Sequence, residues 1–395
     1  MEGSGFHYTV SVAAIGLSIF ISAVGAMASD PSDGESVRPL GPLDTAHQVY
    51  ESELTQRGAF HLGADFQAMG QKTSDCIGEG CEDSGVAGIT RVFGSWAFMQ
   101  NTSHPGALVA RIESRNKIGT DIPPEDLGLA SLGYIGFTAI DYSDIGAGLP
   151  EFYWRQQFLG ATPVELRIGR MAPVAFFDVT PFSDNLTGFT NLSMIFSPTV
   201  TYALPGSLGA VGYVGITEHF YALGTILDAN GEWDGGGDIG KGEYFKGLEF
   251  GWTEQNTGGF YLMDNYHISF WDKDETEAIG AGDGVSIAGS RWFEEGRWGA
   301  FFRAGWADGQ AFLEKSAAIG FTKHVGERDD YTGIALSWGQ PFDSDIDQYS
   351  TEFFYRFQIN KYLAVTPSLQ LLVDPALNDQ EDKIWVAGLR IRIAP

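Results

Sequence analysis

From about residue 58 to the C-terminus the chain alternates apolar and polar residues in segments of about ten, separated by turns rich in Gly, Asn, Asp and Pro. Side chains on an extended strand point alternately to opposite faces, so a period of two predicts β-strands. No segment of comparable length carries a 3.6-residue apolar stripe. In ALVARIESR the apolar Leu108, Ala110 and Ile112 share one face, and Arg111, Glu113 and Arg115 share the other. RWGAFFRAGW sets Trp298, Ala300, Phe302, Ala304 and Trp306 against Arg297, Gly299, Phe301 and Arg303. In STEFFYRFQI, Phe353, Tyr355, Phe357 and Ile359 oppose Glu352, Arg356 and Gln358. KIWVAGLRIRI repeats the theme, with Trp385, Ala387, Leu389, Ile391 and Ile393 against Arg390 and Arg392.

A water-soluble β-sandwich alternates too, with its apolar face inward, so periodicity alone leaves a secreted β-rich binding protein open. Aromatic placement favours a transmembrane barrel: Trp298, Trp306, Trp338 and Tyr355 lie on apolar faces, several near strand ends, where rings would meet lipid headgroups. Between residues 58 and 393 sixteen to eighteen strands can be counted, enough for an antiparallel barrel around a water-filled lumen. Long acidic segments such as DANGEWDGGGDIGKG and WDKDETEAIGAGDG contrast with GLPE, read as a short turn.

The N-terminus adds an export signal. Val10 to Val24 is almost wholly apolar and Ala26-Met27-Ala28 has the small-x-small form of a cleavage site, so residues 1–28 read as a signal peptide; the segment before the apolar run has no Lys or Arg, which leaves an uncleaved anchor as the alternative. Residues 29–57 read as a linker with a short helical stretch, AHQVYESELTQR, and residues 58–395 as the barrel. Cys76 and Cys81 lie close together in a Gly- and acid-rich loop, the pattern of one local disulfide in an oxidising compartment.

Composition changes the picture in two ways. With 51 Asp+Glu against 24 Lys+Arg, a net charge of −27 argues against partners held by phosphate neutralisation, nucleic acid above all. Charged residues are only 19% of a chain that is 44% hydrophobic, which excludes disorder, and the 52 glycines suit turns and small-residue strand positions. Catalytic signatures are missing: there is no HExxH or GxSxG, and the seven His are scattered. GGGDIGKG reads as a chance match to phosphate-binding loops, and Asp228, Asn230, Glu232 and Asp234 read as a solvated loop rather than a metal site. No cofactor is expected.

Several stretches, in order, resemble the carbohydrate-selective porins of the OprB type: VARIESRNKIGTDIPPEDLG, LPEFYWRQQF, ELRIGRMAPVAFFDVTPFSDN, TEFFYRFQINKYLAVTPSLQLLVDPALN and KIWVAGLRIRI. The resemblance implies a sixteen-stranded barrel in the outer membrane of a Gram-negative bacterium. It would be placed in its lipids by the barrel-assembly machinery, and mono- and oligosaccharides would diffuse through it passively. It also implies a narrow part lined by Arg, Glu and aromatic side chains. Combined with the alternation, the lumen candidates are Arg111, Glu113, Arg115, Tyr153, Arg155, Gln157, Glu165, Arg167, Arg297, Arg303, Glu352, Arg356, Arg390 and Arg392, with Arg170 and Asp178 on an inward-folded loop. A general or organic-acid porin is the alternative, and monomer and homotrimer are both open. The chain departs from many such barrels in ending Ile393-Ala394-Pro395 rather than on an aromatic residue.

Overall fold

The alternating segments are strands, and they close on themselves. The computed structural model describes residues 60–394 except 79, 100–103, 161, 255–263, 295, 327–329 and 345. The expected signal peptide and linker, residues 1–28 and 29–57, lie outside the described residues. Sixteen antiparallel strands form one closed barrel: β1 (Phe60–Thr73), β2 (Ser84–Met99), β3 (Gly106–Lys117), β4 (Gly146–Phe158), β5 (Val164–Met171), β6 (Ser207–Gly215), β7 (Phe220–Asp228), β8 (Tyr244–Thr253), β9 (Asn265–Lys273), β10 (Gly282–Phe293), β11 (Trp298–Gly309), β12 (Lys315–Val325), β13 (Asp330–Gln340), β14 (Gln348–Asn360), β15 (Leu363–Val373) and β16 (Lys383–Ile393). Each pairs with its sequence neighbours, and β1 meets β16 with Met69 opposite Arg390 and Gln67 opposite Arg392. The count falls at the lower end of the sixteen to eighteen expected. GLPE is not a turn: Gly148–Glu151 belong to β4, beside a register shift opposite Arg111 and Glu113.

Polarity is the reverse of a soluble sandwich. Ile112, Ile168, Phe302, Leu336, Phe353 and Leu389 face outward and are exposed, whereas Glu113, Arg167, Arg303, Glu352 and Arg390 point inward and are buried. Exposed rings mark both ends of the outer surface, with Trp298, Phe220 and Phe293 at one end and Trp306, Tyr349 and Trp385 at the other. An apolar band edged by aromatic girdles is what a bilayer requires of a barrel's outside. Closure leaves no strand with unpaired backbone groups facing lipid.

The connections are unequal. At one end lie short turns such as 216–219, 294–297 and 361–362, and at the other lie the long 118–145, 172–206 and 229–243 segments. Turn 361–362 is tight because the Asn360 side-chain oxygen accepts the N–H groups of both Tyr362 and Leu363. Cys76 and Cys81 are joined by a disulfide in the 74–83 loop. There Ile77 N–H donates to Ser131, while Leu377 N–H donates to Gly133, so two rim loops grip the 118–145 segment across the β1–β16 seam.

Two long loops turn into the barrel: 172–206, and 118–145, whose Tyr142 hydroxyl donates to Gln67 on the inner face of β1 at 2.8 Å. Phe176, Phe177 and Val200 of the 172–206 loop pack against Val211, Tyr213, Tyr221, Leu223 and Phe245 of β6–β8. Phe182, Phe189, Leu192 and Met194 pack against Phe301, Tyr331, Ala335 and Phe354 of β11–β14. Inward-facing glycines make room: a Cβ at Gly305 would lie 2.0 Å from Thr199 Oγ1, and one at Gly299 would lie 2.6 Å from Phe182. The wide lumen expected from strand number is thus largely filled by the chain itself.

Leu336 sits mid-strand on the outer face and is 53% exposed. Leu336→Arg is expected to cost ~2–4 kcal/mol in lipid, read as a lower urea midpoint for refolding into liposomes. An unchanged midpoint would contradict the assignment of this face to lipid.

Candidate functional site

The inward polar side chains divide into two groups with different work. On the β2–β3 wall they form a ladder. Arg91 holds Asp65 through two parallel contacts, Nε to Oδ1 at 2.8 Å and a second, shorter one to Oδ2. Arg392 approaches the same carboxylate at 3.5 Å. Arg111 pairs with Glu151 at 3.1 Å and with Glu113 at 3.6 Å, and Arg115 pairs with Glu113 and, at 2.6 Å, with Asp141. The pleat brings odd-numbered residues of β3 to the inner face, so consecutive rungs of opposite charge stand beside each other.

Opposite this ladder stands the 172–206 loop, and between them runs a cleft of about 100 Å³. Its ionic wall is Arg91, Arg111, Glu113 and Arg115. Its other wall carries Ala172, Val174, Ala175, Val179, Leu186 and Pro205, with Asp184 and Asn185 at its edge. Among the described residues Phe196 is the one aromatic side chain lining it, so the expected aromatic wall is here mostly aliphatic. Asp141 ties the parts together: its Oδ2 accepts from Asn185 Nδ2 at 2.8 Å while its Oδ1 meets Arg115. Its backbone is left-handed, φ +73°, a conformation that costs energy and is held by these contacts.

The second group anchors the loop. Glu352 accepts the N–H groups of Thr190 and Asn191 and the Thr190 hydroxyl, all between 2.9 and 3.0 Å. Arg390 donates to the carbonyls of Asn185 and Gly188, and Arg303 donates to Ser183 Oγ at 3.1 Å. Asp178, on the 172–206 loop, meets His267 at 3.2 Å and accepts the Tyr202 hydroxyl at 3.0 Å. These residues face the lumen, but their polar atoms are spent on the loop rather than turned toward the cleft.

A third cluster fills the β4–β5 wall. Glu165 accepts from Arg155 and Gln157 at 2.8 Å each and pairs with Arg167. The Arg167 guanidinium lies 4.6 Å over the Phe176 ring and 5.6 Å over that of Tyr153. Arg155 and Gln157 border a small separate recess with Ala97 and Ala107. Arg356 lies 5.4 Å over Tyr331, away from the cleft.

Two expectations are corrected. Arg297 is not in the lumen: it lies in the 294–297 turn, 66% exposed, beside Glu294 at 3.8 Å. The strand begins one residue later, so the alternation does not reach it. Arg170 is not on an inward loop. It is the penultimate residue of β5, opposite Phe152, on the face of Leu166 and Ile168, and donates to the carbonyls of Leu149, Glu232, Trp233 and Gly235. The cleft also uses Arg91, Asp141 and Asp184, and its arginines Arg91 and Arg111 pair with Asp65 and Glu151; sequence reasoning passed over all five. Arg91 was accessible through the alternation of GITRVFGSW; Asp141 and Asp184 lie in loops with no period to read.

Asp228 spends its carboxylate on the N–H groups of Asn230 and Asp238, at 2.9 and 2.7 Å. Among the described residues no group of three or more His, Cys, Asp or Glu is placed to hold a metal. Near Arg115, Glu125 in the 118–145 loop accepts the Asp141 N–H at 3.1 Å, and burial pushes its carboxyl up to about 7. Arg115 opposes that rise and Asp141 adds to it.

A closed sixteen-stranded barrel, apolar outside, ionic inside and narrowed by inward loops, has the architecture of a porin. Within that class, residues 285–394 match the family described as carbohydrate-selective porin, OprB family. The earlier stretches that resemble the same family lie before the matched span. The high-pH structure of Pseudomonas putida OprB aligns at a TM-score of 0.66 and 13% identity, over 89% of this chain and 96% of that one. Its low-pH structure gives 0.51 and 12%, over 89% and 98%. A mutant of Rh. blastica porin gives 0.50 and 12%, over 85% and 100%. At these identities the likeness is one of fold. No curated protein matches by sequence.

Two outcomes follow from the geometry. Glu352→Ala leaves the donors of Thr190 and Asn191 without their acceptor, a loss of ~1–3 kcal/mol. The expected result is protease cleavage within 172–206 and higher single-channel conductance with heat-modifiable migration retained; native behaviour in both would refute the anchoring role. Raising pH through 7 ionises Glu125 and adds negative charge beside the cleft, so cation preference should rise between about pH 6 and 8. Glu125→Gln should flatten that rise, as read from reversal potentials.

Proposed function

We propose that this protein is a passive diffusion channel of the Gram-negative outer membrane with a preference for carbohydrates, and that the cleft beside the Arg91–Arg111–Arg115 ladder is its path. The observation that carries this reading is the pairing of an ionic wall with an aliphatic one. A sugar ring presents hydroxyls at its edge and C–H groups on its faces. Planar guanidinium forks and carboxylates can exchange hydrogen bonds with the edge, while Val174, Val179 and Leu186 receive the faces.

The arginines are already engaged by Asp65, Glu113, Glu151 and Asp141. A passing hydroxyl therefore competes with an existing ion pair, which keeps binding weak, as conduction requires. The same pairing nearly cancels charge in the cleft although the chain as a whole carries −27, and this favours neutral solutes over the organic acids that unpaired arginines would select. The long-loop end would face outward and the short turns the periplasm. Insertion by the barrel-assembly machinery and a monomeric or trimeric state belong to the same reading.

Proteoliposomes holding the native protein are expected to swell in mono- and disaccharides faster than in gluconate. Arg111→Ala is expected to weaken sugar block of conductance by ~10-fold, the equivalent of one charge-assisted hydrogen bond. Folded protein that admits gluconate as fast as glucose would reject the carbohydrate preference.

A further inference from the structure

At the long-loop end the 229–243 segment, which joins β7 to β8, reaches back over the rim to β3 and β4. Trp233 arrives at the last rung of the ladder, where the Arg115 guanidinium lies 4.6 Å from the indole centroid. The contact is built rather than incidental. Trp233 Nε1–H donates to the Gly146 carbonyl at 3.1 Å, and the Trp233 carbonyl accepts from Leu149 N–H at 3.3 Å. A Cβ at Gly148 would lie 2.5 Å from both the indole nitrogen and the Trp233 carbonyl oxygen, so only glycine leaves the ring its place. Arg170 clasps the same segment through the carbonyls of Glu232, Trp233 and Gly235, together with that of Leu149. An outward-face arginine on β5 thus holds the lip still, and Asp228 closes the base of the segment.

We infer that Trp233 is a positioning residue for Arg115 and thereby sets what the outer entrance of the path accepts. Glu113 and Asp141 engage the edges of the guanidinium, and the indole covers its face. With all three in place the group has one orientation. Without the ring, Arg115 keeps its charge but gains freedom to swing between its two carboxylates and the entering solute. The inference rests on the channel reading above and adds to it a residue outside both the ladder and the span matched by the family.

A double-mutant cycle on the full-length barrel in planar bilayers tests it, with heat-modifiable migration as the folding control. The readouts are D-glucose block and the KCl reversal potential at low salt. Trp233→Ala is expected to raise the half-blocking glucose concentration about threefold or more and to shift the reversal potential. Trp233→Phe should restore both, Trp233→Leu should not, and in an Arg115→Gln background Trp233→Ala should add nothing further. Equal effects in the two backgrounds, or equivalence of the Phe and Leu variants, would overturn the inference. Absence of glucose block in the native channel would count against the carbohydrate reading alone, because the reversal-potential cycle still decides whether Trp233 acts through Arg115.

Discussion

The register in which β1 closes on β16 is the constraint on which the rest depends. Met69 opposite Arg390 and Gln67 opposite Arg392 bring inward residues of both strands to the same side of the seam. Side chains alternate with a period of two, so a slip of one residue would turn Arg390 toward lipid and Leu389 toward the lumen. Closure also satisfies every strand edge, which an open sheet cannot do in a bilayer. Inside and outside are therefore decided together.

Given that frame, a barrel this wide has more interior than its wall side chains can fill. The chain uses the surplus by turning two loops inward. The 172–206 loop buries phenylalanines against β6–β8 and β11–β14, and Glu352, Arg303 and Arg390 satisfy its backbone or hydroxyl groups from the far wall. What remains open lies against β2 and β3, where the wall residues pair with one another instead of with the loop. The same residue types thus do two jobs, and the position of the loop decides which.

Charge follows the same division. The chain carries a large negative excess, yet each arginine of the ladder stands beside a carboxylate, so the cleft itself is close to balanced. Much of the excess lies in rim segments such as 229–243 and 274–281. In those positions it acts on approaching ions over about a Debye length, whereas ladder and solute meet at contact distance.

The strands, their outward faces and the inward parity of Arg111, Glu113, Glu165, Arg303, Glu352 and Arg390 were legible in the sequence, because alternation is local and each strand obeys it independently. The ends of strands were less so: Arg297 falls just beyond the first residue of β11, and GLPE lies inside β4 where a register shift breaks the period. The roles of the inward residues depend on which loop residue each one meets across the lumen. Glu352 meets Thr190 and Arg115 meets Asp141 and Trp233. Such contacts join loop segments that have no periodicity of their own to strands far away in sequence, so only the folded barrel could bring them together.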